Sequence, residues 1–361
     1  MFWAAVRSVT YAVPVIETLS QYSVLALYSA MGVYALAFIF FAVDLARRSS
    51  FAEEQAAHAG EAELASPATV ARSASGRASV AGGAGRATAT LARLADRVED
   101  EIYHAPSRSR TVRVGFSLTI LAWAVHLVAT LLRGIAGGRV PWANMYEFSM
   151  TGTLLIIGVF LLVQLRYDLR FLGAFVTGLV LALLGVAVVN YYVAVVPLPP
   201  ALQSVWLVIH VLVAILGTAF FALGFALSVT QLAQSRRENG GAGSGRLRFL
   251  STLPGSHALE NLSYRVNIVG FILWTFTLIA GAVWAERAWG RYWGWDTKEV
   301  WTFIIWTIYA GYIHARATRG WRGTPSAWLS IIGFSAVMFN FGVVNVFFKG
   351  LHAYSGLSTG S

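Results

Sequence analysis

The sequence predicts an all-α integral membrane protein of about eight transmembrane helices, carrying a tryptophan-rich segment outside the bilayer. Three observations lead there. Charged residues are only 12% of the 361-residue chain and hydrophobic ones 57%, whereas soluble domains carry roughly 25% charge. The apolar residues form continuous runs long enough to span a bilayer, without the alternation of barrel strands. Finally, six of the thirteen tryptophans crowd into residues 284–306, between two such runs.

Residues 1–20 contain Arg7 and Pro14 but no small-residue cleavage site, and read as a retained external lead. The first span is 21–43. Residues 44–110 form a cytoplasmic low-complexity insert, rich in Ala, Gly, Ser and Arg around Gly82-Gly83-Ala84-Gly85. Such a composition cannot bury enough apolar surface to order itself, although 89–103 has the pattern of a short amphipathic helix. From 111 to 361 the chain reads as one transmembrane core, with spans at 112–133, 148–165, 171–192, 204–231, 267–285, 300–315 and 326–348. Pro199-Pro200 permits a helix from Ala201, and Asn239–Gly245 is a second, glycine-rich cytoplasmic loop. Asp296, with Glu299 three residues on, forms an Asp version of the capping box that starts a helix near Thr297. With the N-terminus outside, 20 of the 27 lysines and arginines fall on the inner side. This bias puts the tryptophan segment and both termini outside a plasma-membrane protein.

Composition also limits partners. The net charge of +10 follows the inner-loop bias, so no nucleic-acid partner is expected. Cysteine is absent, so the chain neither exchanges thiols nor holds a metal by thiolate.

The segment Trp289-Gly-Arg-Tyr-Trp-Gly-Trp-Asp296-Thr-Lys-Glu299 exceeds what an interfacial belt requires. Its glycines let something flat approach the backbone, and Arg287, Arg291 and Lys298 suit a ligand with carboxylates. Belt anchoring alone is the plainer alternative. Of seven histidines, His58, His104 and His257 lie in cytoplasmic loops, where solvation is the default. His126, His210, His314 and His352 lie in or beside spans, where an ionisable group is a functional candidate. His210 follows the proline pair with Trp206 four residues before it, on one helix face. His352 lies just past the last span, on the same side as the tryptophans. Two neutral imidazoles of this kind can take both axial positions of a haem iron. His314 is 17 residues from the helix start at Thr297, about 26 Å deeper, beside small residues Thr307, Ala310 and Gly311; snorkelling next to Arg316 is its bland alternative. His126 lies about 10 Å from the outer end of its span, too far in depth to share an iron with His314, and reads as a packed or hydrogen-bonded interior residue.

Six stretches together resemble the CcsA/ResC family of cytochrome c biogenesis proteins, in the haem-handling superfamily marked by a tryptophan-rich WWD segment. They are Pro199–His210, Gly281–Glu299, Trp306–His314, Phe341–Asn345, Gly350–Tyr354 and Pro141–Glu147, the last of the form P-x-x-N-x-Y-E. They cover about 111–354, with the WWD segment at 284–301. Thr297 departs from a frequent proline, and Arg139 stands where some members have histidine.

The resemblance implies that His210 and His352 ligate the iron of haem b in an external pocket, and that His314 belongs to a second, intramembrane site. There the other ligand comes from a CcsB/ResB-type partner subunit. Trp289, Trp293, Trp295 and Trp301 are expected to stack on the ring and exclude water. Arg287, Arg291 and Lys298 are expected to neutralise the propionates, and Asp296 to hold the local turn. The function implied is haem export and presentation to the CXXCH thiols of apocytochrome c, in system II maturation. The chain would then be a subunit of a cytochrome c synthase (haem lyase) complex, aided by thiol-reducing proteins. A CcmC/CcmF-like haem handler, a haem transporter with no part in attachment, and a scaffold for partner subunits are the competing readings.

Overall fold

The computed structural model describes residues 2–65, 109–196, 203–240, 250, 253–318, 321–348 and 350–352. Among them are eight long helices and no strand: α1 (Phe2–Ala65), α2 (Arg110–Gly137), α3 (Met145–Val163), α4 (Gly173–Asn190), α5 (Val205–Glu238), α6 (Ser256–Trp289), α7 (Thr297–Ala317) and α8 (Thr324–Phe339). A π-helical turn, Asn340–Val344, prolongs α8 into a last short turn at Asn345–Phe347. The chain is an all-α, multi-pass membrane protein. Seven of the helices are long and apolar enough to cross a membrane. The exception is α7, predicted as the span 300–315: it has the length, at 21 residues, but Lys298, Glu299, His314 and Arg316 crowd its two ends.

Helix α1 runs unbroken from Phe2 to Ala65, so the predicted lead, first span and start of the insert share one helix. The rest of the insert, with the expected helix at 89–103, lies outside the described residues, as do 197–202, 241–249, Lys349 and 353–361. Helix α5 begins at Val205 rather than at Ala201. Ser204 is its cap, with its hydroxyl accepting the Trp206 N–H at 3.2 Å; a side-chain cap fixes this start where the prolines merely permitted an earlier one.

Helix α1 packs along α2 and α5 along α6, while α3 and α8 close on α5 and α7 lies on α8. Small residues set the α5–α6 spacing. A Cβ on Gly270 would lie 2.7 Å from the Phe221 ring, and one on Gly224 would overlap the Asn267 amide. Side chains from four helices fill the space around them, with Phe221 stacked on Tyr309 and Phe225 on Phe334.

At the tryptophan end, one carboxylate ties three elements. Glu147, in the first turn of α3, accepts from Arg133 Nε at 3.1 Å, Arg139 Nη1 at 2.5 Å and the Ala143 N–H at 3.1 Å. Arg133 also donates to the Val193 carbonyl at 2.7 Å and lies over the Tyr146 ring. Asn144 caps α3 by accepting the Glu147 N–H at 2.9 Å. The P-x-x-N-x-Y-E stretch is thus a buried knot between α2 and α3, and Arg139 is an ion-pair partner of Glu147. Removing one member of a buried pair strands the other, at a cost of about 3–5 kcal/mol. Glu147→Ala is expected to lower stability by that order, read as the midpoint of SDS-induced unfolding in micelles, whereas Arg166→Ala on the surface should leave it unchanged.

Candidate functional site

A cavity of about 410 Å³ opens among α3, α4, α5, α6, α7 and the π-helical turn, within the roughly 300–1,000 Å³ typical of cofactor sites. One end holds His210, Trp284, Trp293, Lys298 and His352; the other reaches inward between α3 and α5 to Ile156 and Thr218. The walls are otherwise mostly aliphatic and aromatic.

The two histidines come to the same indole. The His210 ring stacks on Trp284 with centroids 6.0 Å apart and planes at 13°. His352 meets the same Trp284 edge-on at 5.6 Å and Trp289 at 4.8 Å. Each ring is held through Nδ1. His210 Nδ1 lies 3.0 Å from the Thr277 carbonyl, and His352 Nδ1 lies 2.6 Å from Asp296 Oδ2. A carbonyl and a carboxylate only accept, so the Nδ1 positions carry the protons and both Nε2 lone pairs are free. Burial pushes the His352 imidazolium below the usual histidine range, against the opposing pull of Asp296. Neutral imidazoles with the second nitrogen anchored are what an iron or zinc ion requires of histidine.

The turn between α6 and α7 builds this arrangement. Helix α6 ends at Trp289 with Gly290 in the left-handed conformation, φ 72°. Glu299 accepts the N–H groups of Gly294 at 2.8 Å and Asp296 at 3.1 Å, completing the capping box that opens α7 at Thr297. Asp296 therefore has two tasks, capping a helix and orienting His352. Gly281 makes room for the other imidazole, since a Cβ there would fall 2.7 Å from His210 Cε1.

The remaining expected residues separate into two groups. Trp293 and Lys298 line the cavity. Trp289 stands behind His352, packed on Trp284 at 4.7 Å. Trp295 is the one non-glycine residue among those described with positive φ, at 58°, and is 77% exposed; it meets Trp293 edge-on. Trp301 packs on Phe339 at 4.4 Å, between α7 and α8, away from the cavity wall. Arg287 and Arg291 are exposed and do not line the cavity; Arg287 sits 5.8 Å over the Trp206 ring. His314 is far from this cavity, exposed near the opposite end of α7, on a face with Phe303, Thr307 and Gly311. His126 is fully buried, edge-on to Tyr34 at 6.0 Å and near the Met150 backbone without a well-formed hydrogen bond.

The sequence reading passed over Trp142, Trp274 and Trp284 as wall residues, and Asn340 and Asn345 beside Lys298. For α6 a signal existed: Trp274, Leu278, Gly281 and Ala285 recur at helical spacing and form one face. Asn345 closes the Phe341–Asn345 stretch that carries the resemblance, but nothing there assigns it a role, and no pattern in the chain marks Asn340.

Two expectations follow for protein labelled with 15N-histidine. Both His210 and His352 should show the Nδ1–H tautomer in NMR. Gly281→Ala should move the His210 resonances and leave those of His352, while Asp296→Ala should do the reverse; a His352 spectrum unmoved by Asp296→Ala would break the link drawn between them.

Comparison with known proteins identifies relatives of this chain. The family model "Cytochrome C assembly protein" matches residues 142–352, from the Pro141–Glu147 knot to His352. The chain is 35% identical to the cytochrome c biogenesis protein CcsA of Guillardia theta, over 68% of this chain and 86% of that one. It is 36% identical to CcsA of Prochlorococcus marinus, over 69% and 85%. A solved cytochrome c haem lyase, CcmF, aligns with a TM-score of 0.48 and 17% identity over 71% of this chain and 46% of that one. With the family pattern spanning more than half of the chain and the site inside it, the protein belongs to the cytochrome c assembly family and, within it, to the CcsA cytochrome c biogenesis proteins.

Proposed function

We propose that this protein, acting in cytochrome c biogenesis, presents haem b to apocytochrome c at the tryptophan end of the bundle, on the outer side of the plasma membrane. The observation that carries this is the pair of anchored imidazoles, His210 and His352. Their Nε2 atoms are free, and both rings contact one indole, Trp284, in a cavity walled by Trp142, Trp274, Trp284 and Trp293. Haem would supply vinyl groups, each accepting an S–H across its double bond to give a thioether. The chain itself binds, orients and dries the site. His210 and His352 would hold the iron, the indoles would lie against the ring and exclude water, and Lys298 would meet a propionate. The thiols come from the CXXCH segment of the substrate, since this chain has none; thiol-reducing proteins would keep them available.

His314 belongs to a second site in this reading. It lies exposed on α7 beside Thr307 and Gly311, where a helix of a CcsB/ResB-type subunit can come close and supply the other ligand. Orientation follows the arginine-rich cytoplasmic segments, so His314 would receive haem from the inner half of the membrane. The low-complexity insert is assigned no part in binding.

Protein purified with its partner is expected to carry bis-histidine, b-type haem. His210→Gly and His352→Gly should each change the absorption spectrum and abolish maturation, with free imidazole restoring ligation; unchanged spectra in both variants would remove these residues as ligands. At the other site, His314→Ala should lower haem content and maturation, whereas His126→Ala should cost only stability. The opposite pattern in membrane-inserted variants would assign the intramembrane ligand to His126.

A further inference from the structure

Lys298 stands apart from the other cations at the tryptophan end. It lines the cavity, and its Nζ donates to the Asn340 carbonyl at 3.2 Å and to Asn345 Oδ1 at 2.7 Å. It belongs to none of the ion pairs among the described residues. The neighbouring carboxylates are occupied: Asp296 holds His352, and Glu299 caps α7. An ammonium has three donors, so one remains after the two asparagine contacts. A cation on a largely apolar wall, with Asp296 nearby but outside ion-pair distance, is costly unless a further anion joins it.

The wall beside it is the π-helical turn Asn340–Val344 that follows α8. Such turns recur at functional sites because the widened backbone re-aims side chains. Here Asn340, Phe341, Gly342 and Asn345 all face the cavity. Asn340 is 4% exposed and its Oδ1 atom has no hydrogen-bond partner. Amide oxygen and nitrogen exchange by a half-turn of the side chain, which would aim a donor at the same place. Elsewhere the cavity offers Phe148, Leu183, Val211 and Leu278, suited to the apolar body of a ligand.

We infer that Lys298, Asn340 and Asn345 form a carboxylate-binding subsite, which grips one acid group of an amphipathic aromatic ligand whose body lies against the indoles. This rests on the haem reading above and sharpens it: the propionate contact belongs to the buried lysine and the π-helical turn, and not to exposed Arg287 and Arg291. Lys298 and the asparagines thereby set which edge of the ligand points inward, and act as specificity residues.

The test compares iron protoporphyrin IX with its dimethyl ester, in which both acids are masked. Each is titrated by Soret absorbance into haem-depleted, detergent-purified full-length protein carrying His314→Ala, so that one site reports. The free acid is expected to bind about tenfold more tightly than the ester, the worth of a charge-assisted hydrogen bond. Lys298→Met and Asn345→Leu should erase that preference by weakening the acid alone, their unchanged ester affinity showing an intact fold. Lys298→Arg should retain it, as should Arg287→Met and Arg291→Met. A preference that survives Lys298→Met, or that disappears with Arg291→Met, overturns the subsite. Equal binding of both porphyrins to unsubstituted Lys298 also overturns it, yet leaves histidine ligation standing. Failure of either porphyrin to give a histidine-ligated spectrum overturns the haem reading itself, and the subsite with it.

Discussion

A histidine can offer Nε2 to a ligand only while Nδ1 keeps its proton and the ring stays neutral. The tryptophan end of this bundle is built around meeting that condition twice. Thr277 supplies a carbonyl for His210, and Asp296 a carboxylate for His352. The first partner is fixed by the register of α5 against α6. The second depends on the turn at Gly290–Asp296, where Glu299 gathers two backbone N–H groups and holds Asp296 in place. Loss of that turn would free a ring and uncap a helix together.

The register of α5 against α6 is itself a matter of small residues. Gly224, Gly270 and Gly281 lie where an added methyl would strike Asn267, Phe221 and His210. Membrane helices gain little from burying apolar surface against each other, so close approach and interhelical hydrogen bonds must hold them. Ser228, Ser263, Asn267 and Ser330 supply such bonds toward the opposite end, and the Arg133–Glu147–Arg139 knot supplies them near the cavity. The latter also fixes Trp142 and Asn144 in the cavity wall. A rigid frame with an apolar interior suits a ligand that must be held dry and in one orientation.

The two candidate sites differ in what completes them. The tryptophan-end cavity is lined by this chain's own helices, and its imidazoles, indoles and lysine all come from one polypeptide. His314 instead faces outward from α7 among Thr307 and Gly311. An ionisable side chain on an outward face within a membrane protein calls for a partner, and nothing on the described surface provides one.

The sequence by itself determined the class and the cast. Continuous apolar runs allow only helices in a bilayer, because every backbone group must be paired within its own segment; each predicted span therefore falls on one long helix, and seven of those helices are long and apolar enough to cross a membrane. The capping box at Asp296 and Glu299 was legible because its spacing is local, and the rarity of ionisable groups beside apolar spans picked out His126, His210, His314 and His352 as candidates. Tertiary structure decided the roles. Trp284 and Trp295 look alike in the chain, yet one is buried against both imidazoles and the other is 77% exposed, with the left-handed Gly290 turning the backbone between them. Arg287, Arg291 and Lys298 are equal as charges in a list. Only the approach of the π-helical turn, forty residues further on, gives Lys298 its asparagines and its place on the cavity wall. Local patterns record what a segment can do; which partner it meets depends on the packing of helices distant in sequence.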